Sequence, residues 1–313
     1  MRVAITIEGQ RGLTWPRWQR LAAAVEDLGF CGLYRSDHFL DDQPPDLDSL
    51  ELWASLTWLA SHSNTIEFGP LVTPVSFRHP VHTARMAKDV DDLSGGRLIL
   101  GVGAGWEGGL REHEMFGFDL LDLDGRFARF EEALQIITQL LRQDDPLTLD
   151  GDYYQLRDAR LLPRPQRPGG PPIMIGGNGP RRVLPLAARY ADEWNGIYRT
   201  PRQYEQLNQL LDAMLLEIGR SPAEVVRSQM KGLVYGRHQS DLDMKLNGRS
   251  AEDLFARGLI AGTPAQIVDQ LGAFAIVGMQ KVMLQWPDLE DLDGLESFGQ
   301  TVLTQIESVE AWR

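Results

Sequence analysis

Asp37 and His38 put a carboxylate beside an imidazole at the end of a short apolar run, Gly32 to Arg35. An imidazole titrates near neutrality, so at the mouth of a pocket it can give or take a proton, with a structural hydrogen-bonding histidine as the plain alternative for so common a dipeptide. A second chemical signal is Ile173-Met174-Ile175 followed by Gly176-Gly177-Asn178-Gly179-Pro180. This reads as a buried strand that stops in a glycine turn and restarts as a helix. Glycines let the backbone approach an anion, Pro180 suits a first helical turn, and the free amides with the helix dipole favour a phosphate. A tight turn without any ligand is the plain alternative. Gly101-Val102-Gly103-Ala104-Gly105-Trp106 forms a second such turn after Arg97 to Leu100, and two turns suggest one ligand gripped from two strand ends.

Between these signals lies Phe68-Gly69-Pro70-Leu71-Val72-Thr73-Pro74. Proline cannot donate to a sheet ladder, so Pro70 and Pro74 in one strand imply a bulge that pushes backbone into the pocket, unless the strand simply ends early. Glu8, after the first apolar run, could face the same pocket as an acid or hydrogen-bond partner, although a residue so placed is more often just solvated. Other chemistry lacks its signatures. The Gly101 to Gly105 run misses the third-glycine spacing of a dinucleotide fingerprint. His79 and His82 have no third ligand at metal spacing, so no metal is expected. No nucleophile elbow and no nucleotide-triphosphate loop is present.

These residues need strand ends to hold them. Apolar runs predict strands at Val3 to Ile7, Gly32 to Arg35, Ile66 to Thr73, Arg97 to Val102, Ile173 to Gly176, Glu193 to Ile197, Ser228 to Tyr235 and Lys281 to Gln285. Amphipathic periods predict helices at about Trp15 to Leu28, Asp48 to His62, Val81 to Leu93, Gly125 to Arg142, Arg181 to Tyr190, Pro201 to Ile218, Pro264 to Ile276 and Leu289 to Ala311. Eight alternating pairs imply an α/β fold, a (β/α)8 TIM barrel in one domain over 1–313. Four stretches are long enough to be insertions: Ser36 to Leu47, Gly103 to Asp124, Gln143 to Pro171 and Gly236 to Gly262. Those after strands two, four and seven belong on the C-terminal face, where barrel enzymes build active sites. Gly151-Asp152-Tyr153-Tyr154 in the third stretch reads as a hairpin.

With 31 basic and 44 acidic side chains the net charge is −13, which disfavours nucleic acid or an anionic membrane as partner. A single cysteine, Cys31, fits a reducing compartment, and without a signal-peptide or membrane-spanning run the cytoplasm is expected.

In order and spacing, Ser36-Asp37-His38-Phe39, Gly69 to Pro80, Arg97 to Trp106, Arg126 to Leu134, Pro171 to Arg182 and Ala191 to Asn195 resemble the luciferase-like monooxygenase superfamily over nearly the whole chain. The Asp-His-Phe, Gly-Ala-Gly-Trp and Gly-Gly-Asn-Gly-Pro blocks look most like its branch that uses the deazaflavin coenzyme F420. The resemblance implies an isoalloxazine-type ring in the barrel mouth and a non-prolyl cis peptide at Pro70–Leu71 buttressing it. It implies that Asp37 and His38 contact the ring side, with His38 as proton donor or acceptor. Thr73 would bond the ring or ribityl region, Gly103, Ala104, Gly105 and Trp106 would line ring and tail, and Gly176, Gly177, Asn178 and Gly179 would hold the phosphate. Trp106 stands where sugar-phosphate dehydrogenases of the superfamily carry a catalytic glutamate, which argues against that substrate. The implied activity is F420-dependent hydride transfer to or from a small organic substrate, in a homodimer. The alternatives are an FMN-dependent monooxygenase fed by a partner reductase, and a flavin-binding barrel without catalysis.

Overall fold

Each apolar run forms a parallel strand and each amphipathic segment a helix covering it. The computed structural model describes residues 1–306. The strands are β1 (Arg2–Ile7), β2 (Gly32–Arg35), β3 (Glu67–Pro70), β4 (Thr73–Pro74), β5 (Leu100–Gly103), β6 (Leu147–Asp150), β7 (Gln155–Ala159), β8 (Ile173–Gly176), β9 (Glu193–Ile197), β10 (Val226–Tyr235), β11 (Ile260–Gly262) and β12 (Lys281–Gln285). The helices are α1 (Trp15–Asp27), α2 (Leu52–His62), α3 (Pro80–Ser94), α4 (Leu110–Phe116), α5 (Leu123–Arg142), α6 (Val183–Tyr190), α7 (Pro201–Glu217), α8 (Gln239–Leu246), α9 (Ala251–Ala256), α10 (Pro264–Ile276) and α11 (Leu292–Phe298).

The main sheet runs β3-β2-β1-β12-β10-β9-β8-β5-β4, with β11 added beside β10. A parallel bridge between Phe68 and Leu98 brings the start of the third stave onto the fourth, and Ile99 N–H donates to Phe68 O at 2.9 Å. The sheet thereby curls into the expected barrel, with β3 and β4 as two pieces of one stave. Gly69 permits this closure, because a Cβ there would lie 1.9 Å from Ile99 O. Inside the barrel Ala4, Tyr34, Ile99, Met174 and Met283 pack together. Below them Lys281 Nζ meets Glu193 Oε2 at 2.6 Å and Glu67 Oε2 at 3.3 Å, so charges buried at the N-terminal end are paired. Outside, α1 shows the common helical pattern: Trp18, Leu21, Ala22 and Val25 recur at one face and are buried. Burial of each large apolar side chain stabilises the fold by about 1.5–3 kcal/mol.

Several boundaries differ from expectation. Helix α2 starts at Leu52 rather than near Asp48, because Glu51 caps it by accepting from Ala54 N–H at 2.6 Å. The last helix starts at Leu292, with Asp291 as its cap, and continues through a π turn over Gly299–Leu303. The expected stretch beyond 306 lies outside the described residues. The Gln143 to Pro171 stretch contains the hairpin β6–β7.

Strand three carries the main correction. It breaks, as its prolines suggest, but the non-prolyl cis peptide is Leu71–Val72, not Pro70–Leu71. Pro70 is still in register with Arg35 of β2, and Leu71 N–H donates to Arg35 O at 2.8 Å. The peptide before Leu71 therefore stays in the ladder. From Thr73, which pairs with Val102, the chain follows β5 instead. The change of partner falls on Leu71 and Val72.

Candidate active site

At the C-terminal ends of the strands lies a cavity of about 540 Å³, walled by His38, Leu71, Val72, Gly103 to Trp106, Gly176, Gly177, Tyr198 and Met230, with Phe127 and Phe130 of α5 closing one side. Of the expected residues, His38, Leu71, Gly103, Ala104, Gly105, Trp106, Gly176 and Gly177 line it, whereas Asp37, Pro70, Thr73, Asn178 and Gly179 do not. The lining is mostly apolar, which suits a flat ring system.

The broken strand shapes the cavity floor. A Cβ at Gly101 would lie 2.1 Å from Pro70 O, one at Gly103 2.7 Å from Val72 Cγ2, and one at Gly176 3.1 Å from Val72 Cγ1. Three glycines on two adjacent staves thus give way to the bulge. Gly105 has φ +86°, so there the turn itself requires glycine.

His38 faces the cavity with its Nδ1 2.7 Å from Glu112 Oε1. The other carboxylate oxygen of Glu112 accepts from Phe39 N–H at 3.0 Å, so both oxygens are directed onto the loop after β2. Glu112 is 2% exposed. Burial pushes the His38 imidazole down, but the hydrogen bond and charge of Glu112 outweigh it, and the net shift is upward from the ordinary value. Among the described residues no hydrogen bond engages Nε2, which leaves that nitrogen to a ligand. Glu112 was missed in the sequence because it sits on the seven-residue α4 inside a long insertion. The aromatic cluster of Phe39, Phe77, Phe116 and Phe118, with ring centroids 5.0–5.7 Å apart, anchors that insertion over the β2 loop. Its signal was present as Phe116-Gly117-Phe118, a turn closing on aromatics.

Asp37 turns the opposite way. It pairs with Arg78 and accepts from Thr73 Oγ1 at 2.6 Å, while Arg78 also reaches Glu51 at 2.8 Å. Burial raises the Asp37 carboxyl and the Arg78 guanidinium opposes that. Asp37 and Thr73 thus tie the β2 loop to the broken strand, and their polar atoms are committed to each other. Adjacent residues in extended chain point to opposite faces, so only one member of Asp37-His38 could meet the cavity.

Glu8 does reach the cavity rather than only facing solvent. Gln285 Nε2 donates to its Oε1 at 2.6 Å and Gln10 Nε2 to its Oε2 at 3.2 Å. Tyr198 hydroxyl donates to Gln285 Oε1 at 2.7 Å, extending the line along the rim. On the inner wall, Asn195 is fully buried; its amide nitrogen donates to Ser228 Oγ at 2.8 Å, and among the described residues its equally buried Oδ1 has no donor.

The glycine turn after β8 is more committed than its sequence suggests. Gly177, at φ +127°, spends its N–H on Asn195 O at 2.9 Å, and Asn178 exchanges two side-chain hydrogen bonds with the Ile197 backbone. The Asn178 and Gly179 amides make no hydrogen bond among the described residues, and they remain available to an anion. Helix α6 follows at Val183, two residues later than expected. Among the described residues no group of three or more His, Cys, Asp or Glu could hold a metal ion, and no helix is long and apolar enough to cross a membrane.

Comparison with known proteins agrees with this architecture. The chain is 28% identical over 250 residues to a 5,10-methylenetetrahydromethanopterin reductase of Archaeoglobus fulgidus, covering 79% of this chain and 67% of that protein. It is 27% identical over 261 residues to a putative coenzyme F420-dependent oxidoreductase of Mycobacterium tuberculosis, covering 74% and 69%. Among solved structures, an F420-dependent secondary alcohol dehydrogenase in complex with an F420-acetone adduct superposes with a TM-score of 0.82 at 18% identity, covering 97% of this chain and 99% of that one. A riboflavin lyase with modified FMN superposes at 0.80 with 13% identity, covering 99% and 92%. The profile described as luciferase-like monooxygenase matches residues 2–243, and the chain belongs to that family of enzymes.

Proposed function

We propose that this enzyme is an F420-dependent oxidoreductase acting on a small organic substrate, with His38 as its acid or base. The observation that carries the reading is the His38–Glu112 pair at the edge of a mostly apolar cavity floored by the Leu71–Val72 bulge. The residues present fit a deazaflavin. Leu71 and Val72 would lie behind the ring, Gly103 to Trp106 beside it, and the free amides of Asn178 and Gly179 would take the phosphate. When bound, the coenzyme would exchange a hydride between its C5 and the substrate carbon.

The chain's own contribution is binding and proton control. Glu112 holds Nδ1 and favours the charged imidazolium, so Nε2 is the atom that gives a proton to a substrate oxygen in reduction and takes it back in oxidation. Phe127 and Phe130 of α5 cover the apolar side of the cavity. Glu8, fixed by Gln10 and Gln285, presents a carboxylate to a donor group of the substrate. The F420-dependent relative and structural neighbour favour F420, and membership of the luciferase-like monooxygenase family keeps an FMN-dependent monooxygenase as the rival.

Fluorescence titration with F420 and FMN decides between them. Tenfold or tighter binding of F420, about 1.4 kcal/mol, is expected. Equal or reversed affinities would move the chain to the FMN class, with a partner reductase to be sought. His38→Ala should lower turnover about a hundredfold with cofactor affinity nearly unchanged. Turnover close to the wild type would return His38 to a structural role.

A further inference from the structure

Lys231 is a fully buried lysine on β10 with no carboxylate beside it among the described residues. Its Nζ donates to Arg199 O and, at 2.8 Å, to Gly258 O, and it stands 3.7 Å from the centroid of the Phe274 ring. Burying an amine away from any counter-charge is unfavourable, so the arrangement calls for a reason beyond satisfying two carbonyls.

The reason lies in what Arg199 follows. Tyr198 lines the cavity and has φ +48°, a left-handed conformation that a tyrosine adopts only when its surroundings impose it. Three successive residues of β10 do so. Gln229 Oε1 accepts from Arg199 N–H at 2.7 Å, Met230 O accepts from Tyr198 N–H at 3.2 Å, and Lys231 takes Arg199 O. From the other side Gly258 presses close enough that a Cβ on it would lie 2.2 Å from Tyr198 O. Lys231 binds that glycine's carbonyl as well, clamping the two backbones together. In this setting the Tyr198 hydroxyl reaches Gln285, which in turn holds Glu8.

We propose that Lys231 is a positioning residue of the active site: by holding Arg199 O and Gly258 O it fixes the left-handed Tyr198, and through Tyr198 the Gln285–Glu8 line on the cavity rim. The proposal rests on the reading of that cavity as the reaction site. It separates Lys231 from an ordinary buried contact, since its effect must pass through one phenol.

The test is a double-mutant cycle of Lys231→Met and Tyr198→Phe, together with amide hydrogen exchange of the apoprotein. Lys231→Met should accelerate exchange at residues 198–200 at least tenfold while α7 stays protected. With F420 and a turned-over substrate, Lys231→Met should raise KM at least fivefold with kcat within about twofold, and should add less than twofold once Tyr198 is Phe. Additive effects, or unchanged exchange at 198–200, would overturn the proposal. If Lys231→Met does not fold, Lys231→Gln takes its place in the cycle with the same two readouts, and a KM within twofold of wild type in Tyr198→Phe overturns the proposal whichever variant is used. The exchange arm needs no cofactor, so failure of the F420 reading and failure of this one remain distinguishable.

Discussion

His38 Nδ1 and Glu112 Oε1 stand 2.7 Å apart although 74 residues separate them, and the contact makes one insertion the electrostatic control of another. The folded His38 pKa is raised, so the pair stabilises the fold fully below the ordinary imidazole range and loses this contribution as pH rises through the raised value.

Glu112→Gln keeps the shape and removes the charge. The limb of the kcat/KM profile set by His38 should move to lower pH, since the Glu112 charge and hydrogen bond hold the protonated imidazole and their loss leaves burial to lower it. The pH dependence of kcat/KM at saturating cofactor checks this. A limb that stays in place would mean that another group sets it.

Arg78→Met should be among the most destabilising single changes near the site. It leaves Asp37, 4% exposed, without its cation, a loss of about 3–5 kcal/mol for a buried pair broken on one side. The abandoned carboxyl would take up a proton, so the folded state binds more protons than the unfolded chain and the deficit should shrink as pH falls. Urea melts at pH 5 and pH 8 read this, and an equal deficit at both would contradict it. Asp37→Asn in the same background should recover part of the loss.

The barrel was legible because its staves are short runs of Val, Ile, Leu and Met, each ending in a polar or glycine turn, and the strands and helices alternate. The break in strand three was legible from Pro70 and Pro74. The position of the cis bond was not, because it depends on Leu71 donating to Arg35 and Thr73 pairing with Val102, which are long-range facts. For the same reason the sequence offered both Asp37 and His38, and only the fold could turn one of them onto Arg78. Glycine turns showed where backbones crowd, but not that Gly101 makes room for Pro70 and Gly103 for Val72, which are contacts between staves.

Gly101→Ala tests that last point. Its Cβ would meet Pro70 O at 2.1 Å, a backbone atom that cannot swing away, so the bulge must shift. Cofactor affinity should fall about tenfold or more, read by fluorescence quenching, at a cost of about 1.4 kcal/mol. Gly272→Ala on α10 is the control, since nothing lies within 4 Å of its Cβ, and it should stabilise the protein by about 0.5–1 kcal/mol. Unchanged affinity in Gly101→Ala would show that the bulge does not shape the ring site.

Lys231 supplies the last prediction. Burial, aided by the nearby Arg199 charge, pushes its amine down to about 6, whereas in the unfolded chain it titrates as an ordinary lysine near 10.4. Between those values the unfolded chain carries a proton that the folded one lacks. By linkage, stability then rises with pH across the window, by about 1.4 kcal/mol per pH unit for one proton, and levels off below about pH 6. A neutral amine still has two N–H groups for Arg199 O and Gly258 O, so the clamp persists where the charge is absent. Lys231→Met removes the titrating group with the donors. Its stability relative to wild type should therefore decline steadily as pH is raised from 7 to 9, measured by denaturant melts at matched ionic strength. Parallel curves would mean that the folded lysine keeps its proton, with the Phe274 ring and two carbonyls enough to hold a charge.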